Sequence, residues 1–263
     1  MKLAINTNCL PGGPRDALPA IHELRCLDVE ISTNTCKDSF EPLNGVAEML
    51  KANDQRCVCF SGGWTDLARG NHDRFHVQAL IARKLGAPYL RMFASNPRDE
   101  VESWDSFKRL LDELSYLRFI SSCNGFPEIL IENEGGLTAT IDMMVQLFNE
   151  GNSNFGLVLD PANLITCWMK SPTEHDMEEE MFKAVYVLRS WIRHVHLKDI
   201  DEDGQYCRLG DGIVPWKEIL THLNAINYSG YVALEHVVGT SDYEENLAEN
   251  WRRAKELVAC VQR

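Results

Sequence analysis

Short apolar runs alternate along this chain with longer amphipathic stretches, from the first residues to the last. The strand-like runs are Lys2–Asn8, Leu27–Ser32, Arg56–Ser61, Pro88–Ala94, Glu128–Glu134, Phe155–Asp160, Ile192–Lys198 and Tyr231–Val237. Helical periodicity marks His72–Leu85, Trp104–Ser121, Thr138–Phe148, Thr173–Arg189, Trp216–Ala225 and a closing helix over Tyr243–Val261. Ser171-Pro172-Thr173 reads as a helix start and Lys84-Leu85-Gly86 as a helix stop. Landmarks near the strand ends, Glu30, Ser61, Phe93, Glu132, Asp160, His196 and Glu235, are separated by 31, 32, 39, 28, 36 and 39 residues. Each step accommodates a strand, a crossover helix and two loops. Eight such units predict an α/β chain folded as a single (β/α)8 TIM barrel domain over residues 1–263, with an open doubly wound sheet as the alternative.

Composition narrows the partners. The 263 residues are 44% hydrophobic and 25% charged, and 26 basic against 39 acidic residues leave a net charge of −13. Such a surface repels phosphate backbones, so no nucleic-acid partner is expected. No run approaches the ~18 apolar residues of a membrane span, so no membrane partner is expected either. Asn6, Thr7 and Asn8 interrupt the place where a signal peptide keeps its apolar run, which argues against export. The nine cysteines lack framework spacing, and a reduced, cytoplasmic location is the expectation. Cys9, Cys57 and Cys59 read as small core residues in apolar strands. A homo-oligomer is compatible with the sequence.

Barrel strands are apolar along their length, so polar residues at their carboxyl ends point to the face where barrel enzymes keep their sites. Four strands end this way: Ile131-Glu132-Asn133-Glu134, Leu159-Asp160-Pro161, His194-Val195-His196-Leu197-Lys198-Asp199 and Leu234-Glu235-His236. Strand alternation puts Leu130 with Glu132, Val158 with Asp160, His194 with His196, and Ala233 with Glu235. If these faces point inward, Glu132, Asp160, His196 and Glu235 converge at the mouth. Three carboxylates and an imidazole suit Mn²⁺, Mg²⁺, Co²⁺ or Zn²⁺ with coordination positions left open. The alternative reads each carboxylate as a solvated loop residue and the histidine as a satisfied core group, but four such strand ends argue against coincidence, since an unpaired buried carboxylate costs several kcal/mol. His194 sits two residues deeper and reads as a packing residue or a partner behind the site.

The chain resembles the xylose isomerase-like TIM-barrel superfamily, the sugar phosphate isomerase/epimerase group that also contains endonuclease IV. The motifs that carry the resemblance are Leu90-Arg91-Met92-Phe93, Ile131-Glu132-Asn133, Leu159-Asp160-Pro161-Ala162-Asn163, His194-Val195-His196-Leu197-Lys198-Asp199, Leu209-Gly210-Asp211-Gly212 with Val214-Pro215-Trp216, and Leu234-Glu235. In members resembling ketose 3-epimerases, one divalent ion is held by the residues matching Glu132, Asp160, His196 and Glu235, and the two glutamates shuttle a substrate proton. The resemblance thus implies one metal ion, Mn²⁺ ahead of Mg²⁺, Co²⁺ or Zn²⁺, and catalytic roles for Glu132 and Glu235. Asn163 stands where those epimerases often have a substrate-binding histidine, Glu134 replaces a histidine common after the Glu-Asn pair, and Arg208 is further from His196 than their substrate-binding arginine. The extra histidines of the endonuclease IV zinc cluster are missing between Asp199 and Glu235, where only His222 occurs.

The expected activity is divalent-metal-dependent isomerisation or epimerisation of a small-molecule sugar or polyol, through an enediolate at a carbon beside a carbonyl. Expulsion of a β-leaving group by the same site would make it a dehydratase or lyase on a related keto-polyol of inosose or dehydroshikimate type. A barrel that only binds a ligand is the third reading. Substrate-contacting candidates are Lys198, Asn163, Arg91, Trp64, Trp168 and Arg208. Lys198 is read as stabilising an enolate, touching a phosphate or pairing with Asp199, and Arg91 as a pocket residue or an ion-pair partner under the mouth. Trp64 and Trp168 are read as loop residues that wall a sugar ring or pack on the surface.

Overall fold

A computed structural model describes residues 1–33, 43–62, 67–69, 75–95, 104–151, 155–169, 177–235 and 243–262. Eight parallel strands close into a barrel: β1 (Lys2–Asn6), β2 (Asp28–Ser32), β3 (Arg56–Ser61), β4 (Tyr89–Phe93), β5 (Glu128–Glu132), β6 (Gly156–Leu159), β7 (Ile192–Leu197) and β10 (Tyr231–Leu234). The closing pair is β1 with β10, registered Ala4↔Ala233 and Ile5↔Leu234. A two-stranded antiparallel hairpin, β8 (Asp199–Ile200) and β9 (Tyr206–Cys207), leaves the barrel after β7. This is the (β/α)8 TIM barrel that the strand spacing predicts, and the doubly wound alternative is excluded by closure.

The helices are α1 (Pro14–Glu23), α2 (Val46–Ala52), α3 (Phe75–Lys84), α4 (Trp104–Asn124), α5 (Ile141–Glu150), α6 (Pro161–Met169), α7 (Met177–Leu188), α8 (Trp216–Ala225) and α9 (Tyr243–Val261). Their boundaries follow local chemistry. Thr140 caps α5 by accepting the Met143 amide at 3.2 Å. Gly86, at φ +72°, ends α3 in the left-handed conformation that favours glycine. The helix start expected at Ser171-Pro172-Thr173 lies outside the described residues, and the described part of that helix begins at Met177. Helix α6, which follows Asp160 directly, is absent from the sequence-based reading.

The outward strand residues Ile5, Ile31, Phe60, Leu90, Met92, Ile131, Leu159, Val195, Leu197 and Leu234 join the helices in one large hydrophobic core. The inward face differs. A small apolar cluster of Ala4, Val58 and Ala233 lies apart from that core, and beside apolar Leu130, Val158 and Phe93 the inner face carries many polar residues. They include Asn6, Glu30, Ser61, Arg91, Glu132, His194, His196 and Lys198, all buried. Barrel interiors are ordinarily filled with branched apolar side chains. Burying this many charged groups is tolerable only if each is paired or bound. Two register shifts shape the polar layer: Val29↔Cys57 gives way to Glu30↔Cys59, and Leu157↔Ile192 to Val158↔His194. Such irregularities re-aim side chains beside active sites.

Candidate metal and active site

Four of the polar residues meet at the carboxyl mouth. Glu132 ends β5, Asp160 follows β6, His196 lies in β7 and Glu235 follows β10. One donor atom from each lies within 4.8 Å of the others, and all four side chains are buried. His196 Nδ1 is 3.0 Å from Glu132 Oε1, 3.3 Å from Glu235 Oε2 and 3.6 Å from Asp160 Oδ2. Burial disfavours charge on this imidazole, but the carboxylates of Glu235, Glu30 and Glu132 outweigh it and hold His196 well above its ordinary range.

The backbone explains the convergence. Asp160 precedes Pro161, the first residue of α6, and its Oδ1 accepts the Asn163 amide at 3.1 Å, the geometry of an N-cap. One carboxylate oxygen is thereby used by the helix and the other, Oδ2, faces the site. Asn133 then ties β5 to β6: its Oδ1 accepts the Asp160 amide at 2.7 Å and its Nδ2 donates to the Asp160 carbonyl at 2.8 Å. Asn163 Nδ2 reaches Glu132 Oε1 at 3.3 Å. At the far wall, the Cys9 thiol donates to the Glu235 carbonyl at 2.9 Å. Cys9 lies in the helical turn after β1, not in a strand as expected, while Cys57 and Cys59 are buried in β3.

Below the mouth the polar layer is neutralised by contact. Arg91, 2% exposed, donates from Nη1 to Glu132 Oε2 and from Nε to Ser61 Oγ at 2.7 Å, with its guanidinium 4.6 Å from the centre of the Phe93 ring. It is the ion-pair partner of the sequence-based alternatives. Glu30 Oε2 lies 2.9 Å from His194 Nε2 and 3.1 Å from His196 Nε2. Burial raises the Glu30 carboxyl, but His196 and His194 outweigh this and hold it well below the usual carboxylate range.

Above the mouth, Lys198 Nζ lies 2.7 Å from Asp160 Oδ2 and 3.1 Å from Glu235 Oε2. Burial opposes its charge, yet Asp160 and Glu235 keep the ammonium well above its ordinary range. The pairing of Lys198 with Asp199 is not formed, because Asp199 is committed elsewhere. Its Oδ2 accepts the Gly210 and Gly212 amides at 2.8 and 3.3 Å, and its Oδ1 accepts the Val214 amide at 3.2 Å. Gly212 approaches so closely that a Cβ there would lie 2.3 Å from Asp199 Oδ1, which accounts for the glycine in Leu209-Gly210-Asp211-Gly212. The hairpin sets the Tyr206 ring 5.6 Å from Lys198 Nζ. Glu134, at the rim, is pushed up to about 8 by burial and by Glu132.

The remaining substrate candidates are placed differently. Trp168 is not in a loop: it lies in α6 with its side chain in the main hydrophobic core, because the apolar face of that helix turns inward. Arg208 is exposed and donates from Nε to Asn246 Oδ1 at 2.9 Å, so the longer loop carries it to α9. Trp64 lies outside the described residues. Glu30, Ser61, Asn133 and Tyr206 were not among the site candidates. A glutamate inside the apolar run Val29-Glu30-Ile31 was the available signal for the first, and Asp203-Gly204 between two short runs for the hairpin.

The donor set fits a divalent ion. Asp160 Oδ2 is fully buried and accepts no well-directed hydrogen bond, although two cations stand near it. Three carboxylates with one imidazole are the mixed oxygen–nitrogen set that Mn²⁺, Co²⁺ and Zn²⁺ accept.

Comparison with known proteins agrees with the fold. No curated protein matches the chain at a significant level. Among solved structures, an L-ribulose 3-epimerase superposes with a TM-score of 0.80 at 15% identity, covering 100% of this chain and 96% of that one. The D-psicose 3-epimerase of Clostridium cellulolyticum H10 gives 0.75 at 15% identity, covering 98% and 99%. The probable 3-DHS dehydratase of Bacillus anthracis involved in petrobactin synthesis gives 0.75 at 16% identity, covering 97% and 99%. At these identities the likeness concerns the fold. The family model described as xylose isomerase-like TIM barrel matches residues 41–258, most of the chain, and the protein belongs to that family.

Proposed function

We propose that this protein is a divalent-metal-dependent isomerase or epimerase of a small sugar or polyol. The observation that carries the reading is the meeting of Glu132, Asp160, His196 and Glu235, from four strands, within 4.8 Å at the barrel mouth. The likeness to two sugar 3-epimerases supports it. These four residues would hold one ion, which when bound supplies positive charge beside a substrate carbonyl and hydroxyl and so acidifies the C–H between them.

The chain's own groups divide the rest of the work. Glu132 and Glu235 come from β5 and β10, on separated sides of the barrel. Each presents a carboxylate edge to the mouth, and proton removal by one with return by the other inverts the carbon between them. Arg91 holds Glu132 Oε2 from below, which fixes the carboxylate and leaves Oε1 toward the site. Asn163, half-buried beside Glu132, is placed to hydrogen-bond a substrate hydroxyl. Tyr206 and Lys198 bound the opposite side.

Lys198 favours a second reading. Its buried ammonium, 2.7 Å from Asp160 Oδ2 and 3.1 Å from Glu235 Oε2, sets a fixed positive charge at the mouth, where it would stabilise an enolate and the charge on a departing β-hydroxyl, as a dehydratase requires. One experiment separates the readings: the Mn²⁺-loaded protein is incubated with ketoses, aldoses and cyclic keto-polyols, and products are weighed. A product of unchanged mass supports isomerisation or epimerisation, and loss of 18 mass units supports dehydration. Absence of turnover on every class overturns both and leaves a binding protein.

A further inference from the structure

We infer that Glu30 is the positioning residue for the metal site: it orients His196 so that Nδ1 is the nitrogen offered to the ion, and His194 holds Glu30 in that role. This rests on the metal-dependent reading above.

Glu30 is fully buried in the barrel interior, one strand over from the closing pair, and nothing in its local sequence requires a carboxylate there. Its oxygens are shared between two imidazoles. Oε2 lies 2.9 Å from His194 Nε2 and 3.1 Å from His196 Nε2, and Oε1 lies 3.3 Å from His196 Nε2. The two rings stand nearly perpendicular, 89° apart with centroids 5.5 Å from one another, so both can aim the same nitrogen at one carboxylate. A carboxylate only accepts hydrogen bonds, so each imidazole must place its N–H on Nε2. For His196 this leaves Nδ1 on the opposite edge of the ring, 3.0 to 3.6 Å from Glu132, Glu235 and Asp160. Carboxylate, imidazole and metal position therefore stand in sequence, the arrangement by which an outer carboxylate fixes the tautomer and raises the basicity of a metal-binding histidine.

His194 completes the device. It lies two residues deeper on β7, and the register shift opposite Leu157 and Val158 falls beside it. With His194 on Oε2, Glu30 is restrained against rotating away from His196. Arg91 Nε, 3.9 Å from Oε1, adds positive charge on the other side. Glu30, His194 and Cys59 also place donor atoms within 4.8 Å of one another. Both Glu30 oxygens are already engaged by the histidines, which makes the cluster a support for the ion above it.

The test compares Mn²⁺ affinity, measured by calorimetry, in wild type, Glu30→Gln and Glu30→Asp, with circular dichroism reporting the fold. Glu30→Gln is expected to weaken Mn²⁺ binding by ~10–100-fold. Glu30→Asp, which keeps the carboxylate, is expected to recover part of the loss. A second measurement needs no variant to fold. In wild type labelled with ¹⁵N-histidine and loaded with Zn²⁺, His196 is expected to show a metallated Nδ1 and a protonated Nε2. A wild type that binds no Mn²⁺ overturns the metal-dependent reading and this inference with it. A wild type that binds Mn²⁺, with unchanged affinity in Glu30→Gln or with Nε2 metallated, overturns the role of Glu30 alone.

Discussion

The side chain of Asn133 pairs with the backbone of Asp160 as one strand pairs with the next, accepting its amide at 2.7 Å and donating to its carbonyl at 2.8 Å. β5 and β6 are registered only as far as Glu132↔Val158, so this side-chain bridge carries the pairing one step past the end of the ladder. It fixes Asp160 relative to Glu132, and both are candidate ligands. Asn133→Ala leaves the buried Asp160 amide without its partner, at about 1–3 kcal/mol, while the Asp160 carbonyl keeps only the Leu164 amide at 3.3 Å. Thermal unfolding should therefore show a marked loss of stability, and Mn²⁺ affinity should fall with it. A variant with wild-type melting temperature and affinity would show that the bridge contributes to neither.

Stripping the ion should loosen the mouth. Because the four ligands come from four strands, an ion held there stabilises the folded state by mass action, by about 2.7 kcal/mol when its free concentration is 100 times Kd. Exhaustive chelation is expected to lower the melting temperature and abolish turnover, with Mn²⁺ or Co²⁺ restoring both. Binding should also release protons. Burial opposes charge on His196, but Glu235, Glu30 and Glu132 hold it protonated in the ion-free protein, so the ion must displace that proton. Affinity should therefore rise with pH, and binding enthalpies in buffers of different ionisation enthalpy will measure the proton count. Full activity after metal removal would rule out the site as drawn.

Lys198 competes with the ion for the same oxygens, Asp160 Oδ2 and Glu235 Oε2. Lys198→Met should have two opposed effects. Without metal, the carboxylates lose their buried partner, and breaking a buried pair costs about 3–5 kcal/mol. With metal, the competitor is gone and Mn²⁺ should bind more tightly. Weaker Mn²⁺ binding in a folded Lys198→Met would show that the lysine organises the ligands instead of competing for them. Retained turnover in this variant would also count against a dehydratase in which the Lys198 charge assists the leaving group.

Proton transfer by two glutamates predicts isotope exchange. Glu132→Gln and Glu235→Gln should each reduce turnover by at least the ~10²–10⁴-fold that general acid–base assistance contributes, with metal occupancy measured alongside rate. In D₂O the product should carry deuterium at the carbon that lost its proton. One variant that exchanges deuterium into substrate without forming product would identify the glutamate serving the other face. Product without solvent deuterium would exclude this route in favour of an internal hydride shift.

The fold was legible in the sequence because each barrel strand is a local signal: a short apolar run, bounded by polar turns and repeated eight times at crossover spacing. The convergence of Glu132, Asp160, His196 and Glu235 at one mouth followed from strand-end position and alternation, both readable along the chain. The partners of those residues were not. Glu30 and His196 are 166 residues apart and Arg91 and Glu132 are 41 apart, and each contact depends on strand register and on shifts at Val29/Glu30 and Leu157/Val158 that no local pattern encodes. The same cause accounts for Trp168 and Arg208. The apolar face of α6 and the path of the hairpin loop to Asn246, not proximity in sequence to the site, decide where those side chains lie. Periodicity determines which face a residue occupies; only closure of the barrel determines what it meets there, because pairing across the interior is set by the register of all eight strands together.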